Sequence, residues 1–178
     1  MTAQVAFNRT KFRELIVYFA RRLEPQAALG RVKLAKLLMT SDFSAFAILG
    51  RPITGATYEK WEFGHLPREL LLTDRDLQAE GAIEIETVDY YGRQLRHVTA
   101  RRDPDMSAFT EDELGIVESA IRAYGYASAT FLSQLAHQEL GWILAADKET
   151  IPYESVLLEM TRPPDNVFAE FRALHGIA

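Results

Sequence analysis

Apolar residues return at helical intervals along most of the chain. Phe12, Leu15, Ile16, Phe19 and Leu23 keep that period behind Asn8, a residue type that caps helix N-termini well, and Pro25 closes the segment. A second helix is predicted over about 32–49, carrying Leu34, Leu37, Leu38, Phe43 and Phe46, and Gly50 followed by Arg51-Pro52 stops it. Gly55, Gly64 and Pro67 punctuate an extended segment that contains Tyr58, Trp61 and Phe63. Pro67 suits an early position of a third helix running through Leu70, Leu71 and Leu77.

Past Gly81 the period changes to two. Ile83 and Ile85 alternate with Glu84 and Glu86; after the turn signal Tyr91-Gly92, Leu95, His97 and Thr99 alternate with Arg96 and Val98. One hairpin is expected at about 82–100, and because two strands alone are marginal in water it must lie on the helices or pair with a further strand. Pro104 breaks the chain again. Thr110 and Glu113 then form a capping box ahead of a helix whose apolar face is Leu114, Val117, Ile121 and Tyr124. Ser128 caps the next helix, with Phe131, Leu132 and Leu135. Ile151-Pro152 starts a short one containing Tyr153, Val156 and Leu157. Pro163-Pro164 ends it, and Val167, Phe168, Phe171 and Leu174 mark a terminal amphipathic helix at about 165–175. No repeat, linker or low-complexity segment is visible. The expected fold is mainly α: one compact helical domain over 1–178, core about 7–160, with a small β-hairpin.

Composition narrows the chemistry. The 178 residues are 48% hydrophobic and 25% charged, ordinary for a globular domain, and a chain this long buries roughly 70% of its unfolded surface. There is no cysteine, which excludes disulfides, thiolate zinc sites and cysteine nucleophiles. The four histidines, His65, His97, His137 and His175, are scattered without metal-ligand spacing, so no metal or cofactor is expected. A net charge of −5 argues against a dedicated nucleic-acid binder. Neither a signal peptide nor a membrane-spanning run is evident, and a cytoplasmic location is expected.

Several residues stand out chemically. Asp42 lies in an otherwise apolar helical stretch and Arg51 just beyond its stop. A bidentate Arg51–Asp42 pair is expected to fix the helix end against the loop; the alternative is that both line a partner groove. Thr54 and Tyr58 add hydroxyls to a loop whose glycine spacing rules out a phosphate cradle. Tyr58 and Trp61 are read as core, and Phe63, His65 and Leu66 as an exposed apolar edge. His137 is expected in a buried polar network with Trp142, Tyr153 and Glu154. An enzyme centred on His137 and Glu139 is the weakest alternative, since no His-Glu-x-x-His, Gly-x-Ser-x-Gly or paired-carboxylate motif is present. Arg93, Arg96, Arg101 and Arg102 make the hairpin locally basic. With Tyr90 and Tyr91 at its tip, they motivate a second alternative, a nucleic-acid-binding regulator of its own operon.

Four ordered segments resemble the Panacea domain of SocA-like antitoxins: Lys36-Leu37-Leu38 leading to Ser41-Asp42-Phe43; Gly50-Arg51-Pro52-Ile53-Thr54-Gly55-Ala56-Thr57-Tyr58; Phe63-Gly64-His65-Leu66-Pro67; and Leu135-Ala136-His137-Gln138-Glu139 with Trp142, followed by Ile151-Pro152-Tyr153-Glu154. The chain departs from the pattern at Met39, where the family has an aromatic, and at Gly64-His65-Leu66-Pro67 in place of Gly-Pro-x-Pro. The resemblance implies a non-enzymatic antitoxin that neutralises a cognate toxin by protein contact. It also implies the adaptor role of SocA-like members, which deliver the toxin to an AAA+ protease. Asp42, Arg51, Thr54, Tyr58, His137, Trp142 and Glu154 are then a structural polar signature. The interface is sought at Phe63, His65 and Leu66 and at the hairpin tip, Tyr90, Tyr91 and Arg93.

Overall fold

A computed structural model describes residues 5–23, 28–90 and 92–160. Among the described residues seven helices and four strands follow one another as α1 (Arg9–Arg22), α2 (Arg31–Leu49), β1 (Tyr58–Trp61), β2 (Gly64–Pro67), α3 (Leu70–Ala79), β3 (Ile83–Tyr90), β4 (Arg93–Ala100), α4 (Glu111–Tyr124), α5 (Ala129–Ala136), α6 (Leu140–Leu144) and α7 (Ser155–Met160). Helix predominates over two separate two-stranded antiparallel sheets, so the architecture is more mixed than the single hairpin expected.

The centre is α2. It is apolar around most of its circumference, as a helix must be to be enclosed by others, and α1, α4, α5, α7, β2 and β4 all pack on it. Leu34, Leu37 and Leu38 are fully buried with Phe12, Leu15, Ile16 and Phe19 of α1 and Val117 of α4. Its end is set by Gly50, whose φ of 72° only glycine adopts without strain. The caps read from the sequence are present: Asn8 Oδ1 accepts from Lys11 N at 3.0 Å, Ser128 Oγ accepts from Phe131 N at 3.1 Å, and Thr110 and Glu113 close the reciprocal box on α4.

The predicted hairpin is β3–β4, in register from Ile83 opposite Ala100 to Tyr90 opposite Arg93. It lies on the helices, β4 against α1 and β3 against α3, and Val98 N donates to Leu29 O at 3.0 Å. The segment around Trp61 forms a second hairpin, in register from Tyr58 opposite Pro67 to Trp61 opposite Gly64. Pro67 therefore closes β2, and the third helix begins only at Leu70. On its other side β1 is tied to a later stretch: Lys60 N donates to Glu149 O, Lys148 N to Lys60 O and Ile151 N to Tyr58 O. Residues 148–151 serve that edge, and α7 starts only at Ser155. The terminal helix expected at about 165–175 lies outside the described residues, as does Tyr91.

Candidate functional site

Three polar clusters lock the loops onto α2 and leave one aromatic rim outside. The first centres on Asp42, which is wholly buried. Its Oδ1 accepts from Thr54 N at 2.6 Å, and its Oδ2 accepts from the Thr54 hydroxyl and, at 2.8 Å, from the Tyr58 hydroxyl. The Tyr153 hydroxyl lies 3.5 Å away and donates instead to Ala56 O at 2.6 Å. Phe43 seals the cluster, its ring centroid 5.4 Å from Tyr58 and 4.8 Å from Tyr153. Burial pushes the Asp42 carboxyl above the usual range despite these bonds, and burial beside Asp42 raises the Tyr58 and Tyr153 phenols.

Arg51 is not part of that cluster. The turn at Gly50 carries it toward the start of α4, where its Nη1 meets Glu113 Oε1 at 2.7 Å. The expected Arg51–Asp42 pair is therefore corrected to Arg51–Glu113. Glu113 is fully buried and also accepts from Lys11 Nζ at 2.7 Å and from Thr110 N at 3.0 Å. Burial acts to raise its pKa, but the bonds from Lys11, Thr110 and Arg51 prevail and hold it below the ordinary value. This second cluster binds α1, the loop after α2 and α4 together. The sequence pointed to Glu113 as a capping residue only.

The third cluster joins α2, β2 and the start of α6. Lys36 Nζ pairs with Glu139, and His65 Nδ1 lies 3.3 Å from Glu139 Oε2 but off the hydrogen-bonding line, so that nitrogen has no partner. Burial, helped by Lys36, lowers the His65 pKa to about 3, so the ring is neutral. Burial raises the Glu139 carboxyl against the pull of Lys36. His65, read as part of an exposed edge, is thus buried against Phe43, because its β2 position turns the side chain inward.

His137 and Glu139 enter different networks, which undoes the acid–base pair considered for them. His137 is exposed at the end of α5 and stacks on Trp142 at 4.3 Å; its Nε2 lies 2.8 Å from Glu62 O. Trp142 Nε1 donates to Trp61 O at 3.0 Å. The buried network with Tyr153 and Glu154 is corrected accordingly: Tyr153 turns to Ala56, and Glu154 is exposed. What His137 and Trp142 do is grip two successive carbonyls at the tip of the β1–β2 hairpin. Gly64, at φ 124°, completes the tip; a Cβ there would come within 2.9 Å of Ala136 Cβ.

Held this way, the tip presents Trp61 and Phe63, 41% and 59% exposed. Trp61 was expected in the core, but it occupies the open end of β1 opposite Gly64. Below the pair runs a groove of about 530 Å³, floored by Val32 and Ala35 of α2 with Leu66 and Leu71, with Arg31 and Arg68 on its walls against Glu59 and Glu62. Arg68 is already paired with Glu59 at 2.7 Å. Leu66 is half-buried in this floor. The volume is that of an ordinary binding cleft. Among the described residues no group of acids and histidines could hold a metal ion, and no helix is long and apolar enough to cross a membrane.

Two of the four arginines read as making the hairpin basic are paired with acids. Arg101 pairs with Glu84, and Arg102 forms a two-pronged pair with Glu14 at 2.6 and 2.7 Å. Of the expected tip contacts, Tyr91 and the side chains of Tyr90 and Arg93 lie outside the described residues.

A family model for the antitoxin SocA-like Panacea domain matches residues 34–143, well over half of the chain. The chain belongs to that family. All three polar clusters and the aromatic rim draw residues from the Panacea span, with Lys11 and Tyr153 joining from outside it. Membership carries an antitoxin role in general terms and, with it, a toxin partner. No curated protein and no solved structure matches the chain.

Proposed function

We propose that this Panacea protein is a cytoplasmic antitoxin that neutralises a cognate toxin by direct contact through the groove at Trp61 and Phe63. The observation that carries the reading is the pair of exposed aromatic side chains on a tip fixed by His137 and Trp142, above an apolar floor. Rigid aromatics set together beside an apolar cleft are what binding hot spots use. The pairing of Arg101 and Arg102 with acids weighs against the DNA-binding alternative. The antitoxin acts without catalysis in this reading, which the separation of His137 from Glu139 supports.

The test is co-expression with the product of the adjacent reading frame. Growth rescue and a stable complex are expected, and both are lost with Phe63→Asp. Failure of every neighbouring product to bind would defeat the proposal. Delivery of the bound toxin to an AAA+ protease is a separable step: toxin turnover should accelerate only when antitoxin and protease are both present.

A further inference from the structure

The β1–β2 hairpin carries one open edge. Tyr58 O accepts from Ile151 N, and Lys60 bonds Glu149 and Lys148 through its own N–H and C=O. The backbone groups of Tyr58 and Lys60 therefore face residues 148–151. β1 then holds β2 through the alternate residues, Glu59 opposite Leu66 and Trp61 opposite Gly64. Arg68 N, donating to Thr57 O, keeps the same alternation. It follows that His65 and Pro67 turn their backbone groups to the far edge of β2. There the N–H and C=O of His65 meet no partner among the described residues, although the residue is only 7% exposed. Buried backbone groups are almost always paired. The open edge borders the groove of the aromatic rim. Every residue from Trp61 to Arg68 lines that groove, Arg31, Val32 and Ala35 of α2 line it too, and none of residues 148–151 does.

Building on the groove reading above, we infer that the toxin enters this groove as an extended strand and pairs with the edge of β2 at His65. A toxin residue opposite His65 accepts from its N–H and donates to its C=O. Pro67, which has no N–H, offers its C=O to the next bond along. Strand addition of this kind draws affinity from main-chain bonds and selectivity from alternate side chains. Trp61 and Leu66 share one face of the hairpin, the face that lines the groove. Every second side chain of the added strand therefore lies over the Leu66–Leu71 floor and against the Trp61 and Phe63 rings. The partner segment is extended, with apolar residues at alternate positions. A helix laid in the groove would cover the same rings but leave the His65 N–H and C=O unpaired.

The test uses the full-length chain and the product of the neighbouring reading frame that binds it. Amide exchange followed by NMR reads His65 directly, without any variant. In the free chain its N–H is expected to exchange fast, and in the complex about tenfold slower or more. The Leu66 N–H, in a pair with Glu59, should be slow in both. Two variants then isolate the donor. His65→Ala removes the side chain and keeps the N–H. His65→Pro removes both, and proline, which the family pattern has at this position, fits a strand edge whose N–H points outward. The proline variant is expected to bind the toxin about tenfold more weakly than the alanine variant, because a toxin carbonyl loses its donor. Unchanged His65 exchange on binding, or equal affinity of the two variants, while Phe63→Asp still abolishes the complex, overturns the strand and leaves the groove standing. A complex indifferent to Phe63→Asp, or no complex with any neighbouring product, overturns both.

Discussion

Arg51 Nη1 and Glu113 Oε1 meet at 2.7 Å, and Lys11 holds the same carboxylate from the opposite helix. The two cations differ in their surroundings: the Arg51 side chain is 55% exposed and that of Lys11 11%. Solvent screens the first pair, so Arg51→Met is expected to cost less than about 1 kcal/mol. Lys11→Met leaves a wholly buried carboxylate short of its main partner and should cost about 3 kcal/mol. Urea unfolding of the two variants decides it; equal losses would mean that burial does not rank these contacts.

Removing the Asp42 carboxylate strands the Thr54 amide and the Tyr58 hydroxyl inside the core. Asp42→Ala is expected to destabilise by about 3 kcal/mol, from two or more buried donors left without acceptors. For a domain of this size that lowers Tm by roughly 6–12 °C. Calorimetry would show it, and a drop under 2 °C would refute the account of this cluster.

Asp74 offers a pH test. Burial, opposed by Arg31 and Arg96, raises its pKa to about 6 in the folded chain, and its Oδ1 has no partner. The unfolded chain ionises near the ordinary value of about 4, so as pH rises from 4 to 6 the unfolded state gives up its proton first. Folded stability is thereby lost across that window, by up to about 3 kcal/mol for two pKa units. Asp74→Asn should remove this loss and be the more stable form at pH 7 but not at pH 4. Stability curves at both values check the sign.

His65 runs the other way. Its folded pKa of about 3 lies below the ordinary 6.5, so only the unfolded chain takes up a proton as pH falls from 6.5, and stability declines toward pH 3. The NMR shift of its ring protons should stay flat from pH 8 to 5. A titration midpoint near 6.5 would contradict its burial beside Phe43 and Lys36.

The rim should separate binding from folding. Trp61→Ala and Phe63→Asp are each expected to weaken toxin binding at least tenfold while moving stability by no more than about 0.5 kcal/mol, as for other exposed sites. His137→Ala acts one step back: the tip loses a clasp and affinity falls with no contact to the partner removed. Isothermal titration alongside Tm measurement distinguishes these from simple unfolding.

Much of the fold was legible because period and caps are local. Asn8, Gly50, the Thr110–Glu113 box and Ser128 all sit where the helices begin or end. The β1–β2 hairpin was not legible as strands. It has four residues a side and is completed by backbone bonds to residues 148–151, which no local pattern reveals. The site failed for the same reason. Asp42 and Arg51 are nine positions apart and look like partners, yet each finds a better one at a distance, Asp42 at Tyr58 and Arg51 at Glu113. Trp61 looked like core because aromatics usually are. Its exposure follows from facing Gly64 at a strand end, a matter of register rather than residue type.

The β1–β2 hairpin is fastened on both sides, by β1's backbone bonds to residues 148–151 and by the His137 and Trp142 bonds at its tip. A platform so braced has little left to reorganise when a ligand protein arrives, so the ordering cost of association is small. Encounter rates for different toxins should then be alike, and discrimination among them should reside in how long each stays bound.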